Sequence, residues 1–207
     1  MRHYLNDKLK AQIDVNGQQC YPIYFTFSAN RQTFKIKSRI LNRPYSKNQF
    51  EAFNNSNDPL LTKDQEIISH CINESTTTQS VFSINKFKES YAVNCTSLFF
   101  WLNENARSPG QMHMDDFMFG QERESELQQS LRRLEEEMGI DGYTVLSYFN
   151  RFYEFMKENN DFGMYTIVYD WEHGLHEVFQ NFIHKSGRIP PEHVNLMPFI
   201  NRLVTII

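Results

Sequence analysis

Residues 10–39 alternate between short strand-forming runs and turn signals, a pattern that restricts the start of the chain to an antiparallel sheet. KAQIDV leads into Asn16-Gly17, the strongest short hairpin signal, because both residue types tolerate the positive φ of a tight turn. CYPIYFTFS follows, rich in the aromatic and β-branched residues that suit a pleated surface. A second turn at Ala29-Asn30-Arg31 opens into QTFKIKSRI. The expectation is a three-stranded antiparallel β-meander. Side chains alternate between the faces of a strand, so Ile23, Phe25 and Phe27 share one face of the middle strand, and Phe34 and Ile36 one face of the third. If these apolar faces coincide, the opposite face carries Tyr24, Thr26 and Ser28 beside Thr33, Lys35, Lys37 and Arg39, with Arg31 and Arg43 at the ends of the third strand.

Charge is divided along the chain in the same sense. Residues 1–50 hold nine Lys or Arg and two acids, a net +7, while residues 51–207 hold twelve bases and twenty-three acids, a net −11. The overall charge of −4 conceals a basic head on an acidic body, and such a head suits an anionic partner, of which nucleic acid is the commonest. The alternative is a solvated sheet face, charged as natural sheets often are to discourage edge-to-edge association.

Beyond the sheet the apolar spacing turns helical. SKNQFEAF and DPLLTKDQEIISHCI cover 45–72, a Ser/Thr-rich break runs from Asn73 to Ser80, and Ser83 opens the short helix FSINKFKESY. SLFFWLNEN follows at 97–105. Residues 106–120 contain Pro109, Gly110 and Gly120 and are expected to link two halves. In the second half Leu127, Leu131, Leu134 and Met138 form one helical stripe ending at Gly139, read as packing within the chain in preference to an oligomer seam. Val145, Leu146, Phe149, Phe152, Tyr153 and Met156 form another. A third helix is expected over 163–185, placing Met164, Ile167, Val168, Trp171, Leu175, Val178, Phe179 and Phe182 on one face and ending at Ser186-Gly187. Pro190-Pro191 then precedes a last helix from about Asn195. The fold class is therefore α+β: a small antiparallel three-stranded sheet with helices over 1–105, a linker over 106–120, and an all-α bundle over 121–207. The apolar end Val204-Thr205-Ile206-Ile207 either docks internally or reflects a polypeptide that continues, and continuation is the expectation.

Several function classes are excluded on composition. With 14 % aromatic residues, 18 Phe and 10 Tyr, the chain is no disordered polymer. No apolar run reaches the ~18 residues of a membrane span, and MRHYLNDKLK lacks the apolar middle of a signal peptide, so no membrane partner is expected and the location read from the sequence is cytoplasmic. Cys20, Cys71 and Cys95 are odd in number and lack CxxC spacing, which argues for reduced thiols and against a disulfide framework or zinc site. No Gly-rich phosphate loop or GxSxG is present, and Asp115-Asp116 lie in the linker without an evident partner. EHGLHE brings His173 and His176, with Glu172 and Glu177, to one side of the expected helix. Residues of that type can bind a metal, but these flank the buried stripe and are read as a solvated edge. No metal, cofactor or catalytic residue is assigned.

The run NGQQCYPIYFTFSANRQTFKIKSRI resembles the arm-type DNA-binding domain at the start of tyrosine recombinases (phage-type integrases) of Bacteroidetes mobile elements. There, an N-G strand with Y-P-I-Y, a short Asn-Arg turn and an F-x-I strand recur. DPLLTKDQEIISHCI and VFSINKFKESY resemble the pieces that follow. YTVLSYFNRFYEFMKENNDFGMYTIVYDWEHGLHEVFQNFI and RIPPEHVNLMPFINRLV resemble the SAM-like core-binding domain. The resemblance covers roughly two thirds of the chain, in order. It implies double-stranded DNA as partner, other recombinase protomers as further partners, and contacts through the sheet residues named above. Two departures accompany it. The catalytic Arg, His-x-x-Arg and Tyr are missing, the nearest pairing being His184 and Arg188, four apart, and the expected helix over 163–185 carries Asp170, Glu172 and Glu177 where family members place bases. The resulting expectation is a DNA-binding, non-catalytic portion or truncated relative of a recombinase. The rival is a non-catalytic protein-interaction or regulatory module of a mobile element, and a metal-dependent enzyme built on His173 and His176 is set aside.

Overall fold

The computed structural model describes residues 1–56, 58–76, 81–106, 126–158, 167–185 and 194–207. Among the features expected from sequence, the linker beyond Ala106, the side chain of Leu127, Met164, Ser186-Gly187 and Pro190-Pro191 lie outside the described residues. The chain divides into two compact units, Met1–Cys95 and Thr96–Ile207, and the architecture is α+β.

The first unit is built on a three-stranded antiparallel sheet of β1 (Arg2–Leu5), β4 (Ile23–Ala29) and β5 (Gln32–Lys37), in the order β1-β4-β5. The expected first strand does not join it. Residues 10–15 contribute only β2 (Gln12–Ile13), which pairs with β3 (Gln19–Cys20) in a separate hairpin. That hairpin is set by Asp14, whose carboxylate accepts the N–H groups of Asn16 and Gln18, and by Gly17 at φ +77°. Ile13 and Val15 stand in solvent, so the hairpin has little apolar face with which to displace a competitor from β4. β1 takes the place instead, because its own alternation puts His3 and Leu5 inward. The second turn forms as expected: Ala29 pairs with Gln32 across a two-residue loop, with Asn30 and Arg31 both at positive φ.

Register places Phe25 between His3 and Ile36, and Phe27 opposite Phe34, so all the inward side chains share one face. Helices cover that face. They are α1 (Lys47–Asn55), α2 (Pro59–Glu74) and α3 (Ile84–Asn94). Each starts where the sequence supplies a cap: Ser46 with Gln49 in a capping box, Asp58 before Pro59, and Ser83. Phe25, Phe27, Phe82, Phe87 and Tyr91 form an aromatic layer with ring centroids 4.8 Å apart for Phe27 and Phe87, and 5.4 Å for Phe25 and Tyr91. A second cluster of Ile23, Leu41, Tyr45, Phe53 and Leu61 closes the other end.

Within these layers lies one buried carboxylate. Asp64 of α2 is fully buried and accepts three side-chain hydrogen bonds, from His3 Nε2 at 2.8 Å, Ser38 Oγ at 2.6 Å and Tyr91 OH at 2.6 Å. The Tyr91 hydroxyl in turn accepts the N–H of Arg39, and Ser38 Oγ that of Leu41. Burial, then the charge of Asp64, drives the Tyr91 phenol far above its ordinary pKa, so it stays a donor. All three cysteines are free thiols, and burial pushes the Cys71 thiol up to about 11, which leaves it protonated and unreactive at neutral pH.

The second unit is helical among its described residues: α4 (Leu98–Asn105), α5 (Glu126–Met138), α6 (Gly142–Glu158), α7 (Val168–Asp170), a π turn (Trp171–Leu175), α8 (His176–Lys185) and α9 (Leu196–Ile206). α4, expected to close the first domain, falls in this unit. Its core is again aromatic, with Phe149, Phe152, Trp171, Phe179 and Phe182 in mutual contact. Leu131 and Leu134 are buried within the unit, as their spacing predicts. Tyr153 departs from expectation and is exposed, while Tyr148 is buried. The expected helix over 163–185 is also interrupted. His173 is non-helical and Gly174 sits at φ 112°, so the chain kinks between Trp171 and His176.

Gly142 opens α6 where no larger residue fits. A Cβ there meets Ala106 Cβ at 2.8 Å, and Glu135 Oε1 at 3.0 Å, the atom that accepts the Gly142 N–H. Gly142→Ala is expected to cost about 1–3 kcal/mol by overpacking, measured by chemical denaturation. An unchanged midpoint contradicts the close approach.

Candidate nucleic-acid interface

Because the inward face of the sheet is apolar, period-two alternation forces everything else outward. The open face is arranged in rows across the three strands. One row is Tyr4, Tyr24 and Lys37; the next is Arg2, Thr26 and Lys35; Ser28 and Thr33 complete a third. Arg2, Ser28, Thr33, Lys35 and Lys37 are exposed, and Tyr4, Tyr24 and Thr26 are half-buried. No strand residue of this sheet is acidic. The outer strands stand about 10 Å apart, two strand spacings, so Arg2 and Lys35 flank Thr26 from the two edge strands.

Three of the hydroxyls, those of Tyr24, Thr26 and Ser28, belong to the middle strand β4. Ser28 Oγ and Thr33 Oγ1 are 3.3 Å apart, and Thr26 Oγ1 donates a long 3.4 Å bond to Arg2 O. The Tyr4 and Tyr24 rings lie 6.2 Å apart. Burial and the neighbouring Tyr24 raise the pKa of Tyr4, which keeps its phenol a donor.

Six of the residues expected on this face therefore fall on it together: Tyr24, Thr26, Ser28, Thr33, Lys35 and Lys37. The three other arginines are placed differently. Arg31 occupies the turn at the far end, exposed, at φ +63°. Arg39 lies past the end of β5; its N–H is bound by Tyr91 and its charge acts on Cys95 at the end of α3, so it is outside the ladder of the face. Arg43 stacks its guanidinium over the Tyr45 ring, 4.8 Å from the centroid, in the segment that leads to α1. Arg2 and Tyr4 were not expected and complete two of the rows. Their sequence signal is the alternation Arg-His-Tyr-Leu, obscured because His3 reads as a surface residue until Asp64, sixty-one positions away, is placed beside it.

The histidine group of the second unit comes apart. The kink at Gly174 breaks the helical spacing of His173 and His176. His173 Nδ1 donates to Tyr169 O and the ring stacks on Tyr169 at 4.0 Å, while His176 Nδ1 donates to Trp171 O. Among the described residues no group of three or more His, Cys, Asp or Glu is placed to hold a metal ion, and no helix is long and apolar enough to cross a membrane.

Charge follows the division into units. Residues 1–95 contain twelve bases and eight acids, a net +4; residues 96–207 contain nine and seventeen, a net −8. Compared with known proteins, the chain matches no family model, no curated protein and no solved structure at a significant level.

The turn residue Arg31 offers a direct stability test. A side chain in the left-handed region costs about 1–2 kcal/mol that glycine avoids. Arg31→Gly is expected to raise unfolding stability by about 1 kcal/mol, read from denaturation midpoints. A destabilised variant contradicts the mirror-image turn.

Proposed function

We propose that this chain is a DNA-binding, non-catalytic portion, or truncated relative, of a tyrosine recombinase of a mobile element, and that it grips double-stranded DNA through the open face of its first sheet. The observation that carries the reading is the composition of that face: Arg2, Lys35 and Lys37 stand among five hydroxyl-bearing residues with no strand carboxylate between them. The resemblance of NGQQCYPIYFTFSANRQTFKIKSRI to arm-type domains supports it from the side of sequence.

The dimensions suit the task. A sheet about 10 Å between its outer strands can enter a major groove about 12 Å wide, as small sheets and ribbons do. Arg2 on one edge and Lys35 and Lys37 on the other then face opposite phosphate walls, with Arg31 reaching along the groove from the turn. These contacts supply a salt-sensitive, sequence-independent attraction. Tyr24, Thr26 and Ser28 on the middle strand, with Thr33 beside Ser28, meet phosphate oxygens or base edges and carry whatever sequence preference exists. The second unit, at −8, repels phosphate and is assigned to protein contacts, including other recombinase protomers. The setting is cytoplasmic, where such DNA is found.

With about four phosphates neutralised, by Arg2, Arg31, Lys35 and Lys37, log affinity for duplex DNA is expected to fall with log salt at a slope of roughly −3 to −4. The double variant Lys35→Ala/Lys37→Ala is expected to flatten that slope by about two and weaken binding alike on unrelated sequences. A folded double variant with unchanged affinity and slope contradicts the reading, and binding only to a protein partner favours an interaction module.

A further inference from the structure

The face depends on two edge strands that share little direct contact with each other. β1 is four residues long, and a slip of one residue turns every side chain over, moving Arg2 and Tyr4 inward. β5 ends at Lys37. Both edges are tied to the same atom. His3, between Arg2 and Tyr4, and Ser38, directly after Lys37, each donate to Asp64 Oδ2, at 2.8 and 2.6 Å. Tyr91 holds the other oxygen, Oδ1, at 2.6 Å. The carboxylate is fully buried, so no water competes for these donors. His3 Nδ1 has no hydrogen-bond partner, so the ring is held by hydrogen bonding through Nε2 alone, with its plane tilted against Phe25 at 5.8 Å.

We propose that Asp64 is the positioning centre of the open face: by gripping His3 and Ser38 it fixes the register of both edge strands, and through them the separation of Arg2 from Lys35 and Lys37 that matches the two walls of a duplex groove. The proposal rests on the DNA reading above and deepens it. Asp64 and His3 touch no ligand; they act through the strands they hold. A buried carboxylate with three donors is also a sharp device, because loss of one donor leaves the charge under-satisfied.

The test uses the full chain and three variants. His3→Leu keeps an apolar side chain against Phe25 and removes the donor. His3→Gln restores an N–H at similar reach. Arg2→Ala removes the cation alone. Two quantities are read: amide exchange at residues 2–5, and the salt slope of binding to a mixed-sequence duplex. His3→Leu is expected to speed exchange in β1 by about tenfold or more, the equivalent of the lost hydrogen bond to a charged group. It is also expected to flatten the salt slope as much as Arg2→Ala does, and adding Arg2→Ala to it changes nothing further. His3→Gln recovers both quantities. If His3→Leu leaves β1 protected while the wild type binds DNA, or if Arg2→Ala still flattens the slope in the His3→Leu background, the clamp is wrong and the DNA reading stands. If the wild type shows no salt-dependent DNA binding, the proposal falls with the reading it rests on, whatever β1 does. Asp64→Asn places an amide among donors and is expected to reproduce His3→Leu with added loss at residues 33–37; unaltered exchange at both edges overturns the proposal.

Discussion

A buried carboxylate that receives three donors from three separate elements holds the first unit in its one arrangement. Asp64 lies in α2, and its partners are His3 from β1, Ser38 from the loop after β5 and Tyr91 from α3. A buried charge is tolerated only where its hydrogen-bonding capacity is met, so the network favours assemblies in which sheet and helices meet in this register. The surrounding aromatic layer supplies the apolar burial, but rings of similar size can slide past one another. The directional bonds at Asp64 cannot.

From that constraint the two faces of the sheet acquire different characters. Inward, Phe25 and Phe27 are sealed beneath Phe82, Phe87 and Tyr91. Outward, cations and hydroxyls are left in rows whose spacing the ladder dictates. The second unit has an aromatic core of its own and the opposite net charge. The two units therefore differ in charge, +4 against −8, and the proposed division of labour between them rests on that difference.

The sequence discloses the middle of this interface better than its edges. Tyr24, Thr26, Ser28, Thr33, Lys35 and Lys37 were legible because a strand alternates with a period of two and their apolar partners Ile23, Phe25, Phe27, Phe34 and Ile36 are unmistakable. Arg2 and Tyr4 were not, because a four-residue strand has almost no periodicity and its inward anchor is a histidine. Turn chemistry at Asn16-Gly17 fixes a hairpin locally without deciding what it pairs with beyond, so β2 joins β3 and stays apart from the three-stranded sheet. The ladder ends at Lys37, and beyond it the Arg39 N–H donates to Tyr91 and the Arg43 guanidinium stacks on Tyr45, contacts that alternation alone does not disclose. In the second unit the stop and stripe signals locate α5, α6 and α9, while Gly174 in EHGLHE carries no signal of the break. A single glycine is tolerated in helices, and only its φ of 112° reveals the break.

The most direct measurement of the central claim is an amide and side-chain chemical-shift titration of the full chain with a short DNA duplex. Perturbations are expected at Arg2, Tyr4, Tyr24, Thr26, Ser28, Arg31, Thr33, Lys35 and Lys37, diminishing with added salt, with helices α5, α6, α8 and α9 silent. Shifts confined to those helices, or to the covered side of the sheet, or none at all, would contradict it.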